Sequence, residues 1–143
     1  MTARSREHAE FLVDTSVAVA LVVTDHEHHA VTFRALADRR LGLAGHAAFE
    51  TFSVLTRLPP PARRTPAAVS RLLLGNFPHT RFLGAGAAAS LLAQLEANGI
   101  AGGSVYDALV GAAAAEHGIP LATRDRRALD IYRTLDVTVE VLA

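Results

Sequence analysis

Three residue types, cysteine, lysine and tryptophan, are missing from this chain of 143 residues, and the first two absences narrow the chemistry open to it. There is no cysteine. Disulfides, thiolate-bound zinc and iron–sulfur clusters are therefore excluded, and a reducing compartment suits the sequence. Lysine is also absent, so all fourteen basic residues are arginine. That removes P-loop chemistry, lysine Schiff bases and lysine general bases, but leaves arginine's fork of donors for gripping phosphate. An excess of charge of one sign is lacking too, because fourteen acidic residues balance the fourteen arginines. The strongly basic balance that points to nucleic-acid binding is not there. The arginines instead form local spots at Arg39-Arg40, Arg63-Arg64 and Arg124, Arg126, Arg127.

No apolar run approaches the roughly 20 residues that a membrane-spanning helix needs. Arg4 and Arg6 ahead of Phe11 to Val23 imitate a secretory signal, but Asp14 cuts the run and no small-residue cleavage pattern follows. A soluble, cytoplasmic protein is expected, with no membrane partner. Half the residues are apolar and about a fifth are charged, which are globular proportions. The length suits one domain with one good core. Residues 1–9 are polar and expected to be flexible; residues 10–143 are expected to form a single domain, without repeat or linker.

The pattern along the chain alternates strands and helices. Phe11 to Val13 reads as a buried strand ending at Asp14, and Thr15 or Ser16 can cap a helix to about Val23. Asp25 is expected to cap a helix from about Glu27 to Arg39, followed by a strand at Leu41 to Ala44. Ala47 to Leu58 is helical and stops at Pro59-Pro60-Pro61. Thr65-Pro66 opens a helix to about Asn76, with proline in its favoured first position. A strand at Thr80 to Leu83, a helix at Ala87 to Asn98, and a Ser104-capped helix ending at Gly118 follow. Ile119 to Ala122 reads as a strand, Arg126 to Leu135 as a helix and Val137 to Val141 as a last strand. Such alternation implies an α/β fold, a central parallel sheet with helices on both faces. Sites in these sheets lie beyond the carboxyl ends of the strands.

Three of four candidate acidic residues fit that address. Asp14 directly follows the first strand, and a carboxylate there is costly unless hydrogen-bonded, paired or metal-bound. Asp125 sits just past a later strand, after Thr123-Arg124. Asp107 begins a helix rich in alanine and glycine, which can lie close against the sheet. Glu50 lies in the small and apolar stretch Ala47 to Leu55. Each has a plain alternative: Asp14 and Asp125 as helix caps, Asp107 bonded back to a serine cap, Glu50 on a solvent face. Together they form a set of hard oxygen donors of the kind magnesium takes, often through only one or two direct carboxylates. Ions held so can activate water and steady the leaving oxygen of a phosphodiester. His26, His28 and His29 lack the four-residue spacing of a helical zinc site and read as solvated side chains.

The strand-Asp14-Thr15-Ser16 start, the mid-helix Glu50, Tyr106-Asp107-Ala108 and Gly118-Ile119-Pro120-Leu121-Ala122-Thr123-Arg124-Asp125 together resemble the PIN-domain nucleases. The likeness is to the VapC toxins of toxin–antitoxin modules, and it runs from Phe11 to Leu142. It implies a PIN fold, dependence on Mg2+ with Mn2+ as a substitute, endonucleolytic cleavage of RNA, a homodimer, and inhibition by a VapB-like antitoxin. Carried over by position, it makes Asp14, Glu50, Asp107 and Asp125 the catalytic acids, with Asp14 and Asp107 as the direct metal ligands. Ser16 and Thr123 become supporting polar groups, and Arg124 a charge that offsets repulsion between the acids and the RNA. One position departs from the family: Ala128 stands where an aromatic is common, and Tyr132 on the same helix is expected to supply the packing. Other functions compatible with these residues are a catalytically dormant PIN module that binds RNA or protein, and a co-repressor that acts with its antitoxin on their operon. A phosphoacceptor receiver domain also clusters acids at strand ends, but needs a lysine that this chain lacks.

Overall fold

The computed structural model describes residues 9–143. The flexible start expected for residues 1–9 lies outside the described residues except at Ala9, which is buried in the core. Among the described residues, four short strands form one parallel sheet in the order β2-β1-β3-β4: β1 (Phe11–Val13), β2 (Leu41–Leu43), β3 (Leu121–Thr123) and β4 (Val139–Val141). Seven α-helices among the same residues accompany it: α1 (Thr15–Val22), α2 (His29–Leu36), α3 (Ala47–Thr56), α4 (Pro66–Asn76), α5 (Ala85–Gln94), α6 (Ser104–His117) and α7 (Leu129–Thr134).

Strand side chains alternate between the faces, and each face carries its own apolar core. Val13 and Ala122 are register partners, and both pack with Val17, Val22, Leu36, Leu55 and Val69 of α1 to α4. Leu12 and Leu121, partners in the same register, face the other way, toward Val110 and Ala114 of α6 and Tyr132 of α7. Apart from Thr123 at the end of β3, the two central strands are therefore apolar, as suits strands covered on both faces. Each fully buried leucine or valine contributes roughly 1.5–3 kcal/mol. A third cluster, around Leu91, Ile100 and Ala108, fixes α5 on α6.

Element boundaries depart from the sequence reading for local reasons. Asp14, rather than Thr15 or Ser16, caps α1, by accepting from the Val17 amide. Asp25 caps nothing regular; α2 starts only at His29, after a turn in which the His28 amide donates to His26 Nδ1. The strand expected at Thr80 to Leu83 shrinks to one parallel bridge, Ala44 with Arg81. There the Thr80 hydroxyl accepts from the Leu43 amide, taking the place of a ladder carbonyl. Gly103 precedes α6 as its cap, so Ser104 is the first helical residue. The last helix splits into a 3-10 turn at Arg126–Ala128 and α7. Thr65 and Pro66 open α4 as expected, and Gly118 ends α6 in the left-handed region with φ 63°.

Gly42 marks the tightest approach in the sheet. A Cβ there would lie 2.1 Å from the His79 carbonyl oxygen, against backbone that has no room to yield. Gly42→Ala is expected to lower the unfolding free energy by about 1–3 kcal/mol, read from the denaturant midpoint; an unchanged midpoint would show that the 79–81 segment shifts freely.

Candidate active site

All four predicted acids open on one cavity of about 70 Å3, lined also by Thr15, Ser16, Val110 and Tyr132. Each acid reaches it from the start of a helical segment. Asp14 caps α1, Glu50 and Asp107 stand in the first turns of α3 and α6, and Asp125 caps the 3-10 turn by accepting from the Arg127 amide. The positive ends of the helix dipoles converge where negative charge is gathered, which offsets part of its self-repulsion.

Asp14 is the fixed member. It is 4 % exposed. Its Oδ1 accepts from Ser16 Oγ at 2.5 Å and the Val17 amide at 3.2 Å. Its Oδ2 accepts from Thr123 Oγ1 at 2.5 Å and Tyr132 Oη at 3.0 Å. Burial pushes the Asp14 carboxyl above its ordinary range, against the pull of these four donors. Ser16 and Thr123 each do a second job. Ser16 Oγ accepts from the Arg124 amide and Thr123 Oγ1 from the Asp125 amide, so the loop carrying Asp125 is pinned to Asp14.

The other acids are half-buried and less constrained. Burial raises Glu50; His46, whose Nε2 lies 3.7 Å from Glu50 Oε1, lowers it, and the Asp14 charge raises it further. Thr15 lies close enough to favour the Glu50 carboxylate, yet its buried hydroxyl finds no partner of hydrogen-bonding geometry. Burial also raises Asp107, followed by repulsion from Asp125, Glu50 and Asp14, with Arg127 opposing. Asp107 thus faces the cavity rather than a helix cap.

Two side chains differ from the sequence reading. Arg124 does not turn toward the acids: its guanidinium donates to Thr32 Oγ1 and to the Ala143 carbonyl oxygen. The arginine beside the acids is Arg127, whose Nε lies 3.4 Å from Asp125 Oδ1. That pair is almost fully exposed on the arginine side, so it adds little stability. Tyr132 does more than pack. It is 1 % exposed, and its hydroxyl reaches Asp14 across the sheet. Burial and then the Asp14 charge hold its own ionisation far above the ordinary tyrosine range, so it stays a donor. Gly111 makes room for it, since a Cβ there would meet the Tyr132 ring at 3.0 Å. The only sequence sign was a tyrosine seven residues after Asp125.

Tyr132→Phe is expected to remove about 1.5–3 kcal/mol, the worth of a hydrogen bond to a charged group, as measured by denaturant unfolding. The raised carboxyls set a pH dependence of definite sign. A carboxyl raised in the folded state binds protons more tightly there than in the unfolded chain. Its contribution is complete below the unfolded value, near 4, and is lost as pH rises through the folded value. Thermal stability without added metal should therefore fall from about pH 4 upward across the raised range of Asp14, Glu50 and Asp107. Asp107→Asn should flatten that fall. A stability that instead rises over the same window would mean that folding lowers these carboxyls rather than raising them.

Comparison with known proteins agrees with this geometry. The family model of the PIN domain matches residues 11–134. Ribonuclease VapC27 of Mycobacterium tuberculosis (strain ATCC 25618 / H37Rv) is 48% identical over 134 residues, spanning 92% of this chain and 96% of that protein. Ribonuclease VapC40 of Mycobacterium tuberculosis (strain CDC 1551 / Oshkosh) is 45% identical over 131 residues, 90% of this chain and 96% of its own. The crystal structure of PAE2754 from Pyrobaculum aerophilum has the same fold, with a TM-score of 0.56 at 23% identity and coverage of 92% and 91% of the two chains. With one family matched across almost its whole length and two relatives near half identity, the chain belongs to the PIN-domain family, among its VapC-type members.

Proposed function

We propose that the protein is an endoribonuclease dependent on Mg2+, with Mn2+ as a substitute, and the toxin of a toxin–antitoxin pair. The observation that carries this is the single cavity onto which Asp14, Glu50, Asp107 and Asp125 all open. Its donors are carboxylates and hydroxyls, hard ligands suited to magnesium. The room suffices for an ion that keeps some of its waters, at roughly 10–15 Å3 per water. Mutual repulsion on Asp107 and the unpartnered Thr15 hydroxyl are both features that a hydrated cation would relieve. Among the described residues, no three acids or histidines stand close enough to hold a metal ion by themselves. The proposed ion would therefore take most of its ligands as water.

Asp14 and Asp107 are the proposed direct ligands. A bound divalent ion supplies charge neutralisation, activation of water and stabilisation of the leaving oxygen. The chain's own residues do the rest. Ser16, Thr123 and Tyr132 hold the Asp14 carboxylate in one orientation, so an ion on Asp14 shares its oxygens with those donors. Glu50, raised by burial and with His46 beside it, would orient a water and take its proton. Asp125 orients a second water from the pinned loop. Arg127 offers a cation to the phosphate backbone at the rim, the role the sequence assigned to Arg124.

The names of the relatives, Ribonuclease VapC27 and VapC40, support the same reaction class. They also support a VapB-like antitoxin as partner. A homodimer working in the cytoplasm completes the reading; no helix among the described residues is long and apolar enough to cross a membrane.

Purified protein should cut total cellular RNA into discrete fragments with Mg2+ or Mn2+ and not with EDTA. Asp14→Asn and Asp107→Asn should each lower that rate at least a hundred-fold, on the order of one lost electrostatic contact in a transition state. Cleavage by either variant at the wild-type rate would remove it from the site. Failure of the folded, antitoxin-free protein to cut any RNA pool would leave a module that binds RNA or protein.

A further inference from the structure

Beside the acidic cavity, with Glu50 as a shared wall, lies a larger open cavity of about 450 Å3. His46, Phe49, Ser53, Arg57 and Tyr106 line it with Glu50. Its rings form a connected platform. His46 stacks on Tyr106 with 5.1 Å between centroids and 22° between planes. Phe49 tilts against His46 at 6.3 Å, and Phe82 against Phe49 at 5.9 Å. Such rings usually complete a core, yet Phe49 is 64 %, Tyr106 53 % and Phe82 53 % exposed. Two of them adjoin the chemistry in sequence as well: Phe49 directly precedes Glu50, and Tyr106 directly precedes Asp107.

The chemistry of the cavity selects its occupant. Exposed ring faces stack on any nucleobase, and a nearby cation meets the backbone charge; together these are what holds single-stranded nucleic acid. Arg57 supplies the cation, its Nε held on Ser53 Oγ at 3.3 Å. The centre of a protein-binding patch is depleted of acidic side chains, whereas here Glu50 stands among the rings.

We propose that this cavity is a base-stacking subsite for single-stranded RNA. A nucleobase lies on Tyr106 and Phe49, Arg57 meets a phosphate, and the adjoining phosphodiester is led past Glu50 to the acids. The proposal rests on the ribonuclease reading above and adds to it the groups that position the substrate.

The test is binding of a short fluorescein-labelled single-stranded RNA of random sequence, in EDTA, beside an abasic ribose-phosphate oligomer of the same length. Wild-type protein should bind the base-bearing oligomer about ten-fold more tightly, in line with one stacked base. Tyr106→Ala and Phe49→Ala should each lose most of that margin, and Tyr106→Phe should keep it. Thermal melting and sedimentation of the same samples establish that the variants are folded and of wild-type assembly state. Margins unchanged in both alanine variants overturn the subsite. So does loss of the margin only in variants whose assembly state has changed, which would give the rings to a second copy of the chain. Cleavage of total RNA by the wild type with Mg2+ is read separately. Cleavage with unchanged margins fails the subsite alone. Absence of both cleavage and base-dependent binding fails the ribonuclease reading and the subsite together, and base-dependent binding without cleavage supports the subsite in a binding module.

Discussion

The rest of the structure is arranged around one buried carboxylate. Taking Asp14 out of water carries a desolvation cost that must be met by hydrogen bonds. The four donors that meet it come from three elements, one adjoining Asp14 in sequence and two more than a hundred residues along the chain. Ser16 and Val17 belong to α1, Thr123 to β3 and Tyr132 to α7. Placing a charge at the mouth of β1 thus obliges a parallel neighbour strand and the last helix to come to it. The sheet register that pairs Val13 with Ala122 is the same register that brings Thr123 beside Asp14. Packing on α6 follows from it as well, because a Cβ at position 111 would crowd the Tyr132 ring at 3.0 Å on its way to the carboxylate.

A second constraint is charge crowding. Four acids share one small cavity, and burial with mutual repulsion raises those least held by donors. The fold answers chiefly with backbone: four helical segments begin at this edge. A countercharge from Arg127 is weak because water screens it. The cavity is therefore left with unmet negative potential and an unpaired Thr15 hydroxyl. Both are better suited to a mobile hydrated ion than to a permanent salt bridge.

How much of this was legible in the sequence depended on how local the determinant was. The central strands were readable because apolar residues run straight into Asp14 and into Thr123-Arg124-Asp125, and the parallel sheet followed from the alternation of elements. Asp14, Asp107 and Asp125 were readable by their place at strand ends and helix starts, whereas Glu50, read as mid-helix, entered only as a member of the set; the structure puts it in the first turn of α3. The structure brings all four together. Non-local choices were not readable. Whether Arg124 or Arg127 turns to the acids is decided by Thr32 and the Ala143 carbonyl, far along the chain. The strand at Thr80 failed because a threonine hydroxyl replaced a carbonyl in the ladder, which no pattern of apolar residues encodes. The hydroxyl of Tyr132 was hidden by its ring, which any apolar contact would have explained equally well.

Three of the four donors to Asp14 are hydroxyls. Hydroxyl groups rotate and can accept as readily as they donate. An asparagine at position 14 could keep its carbonyl toward the Val17 amide and turn its amino group to Thr123 and Tyr132, preserving the shape of the hub while removing the charge. Aspartate and asparagine codons differ by a single nucleotide. A single nucleotide change at this position therefore leads to a protein that keeps its fold while the charge at its hub is gone.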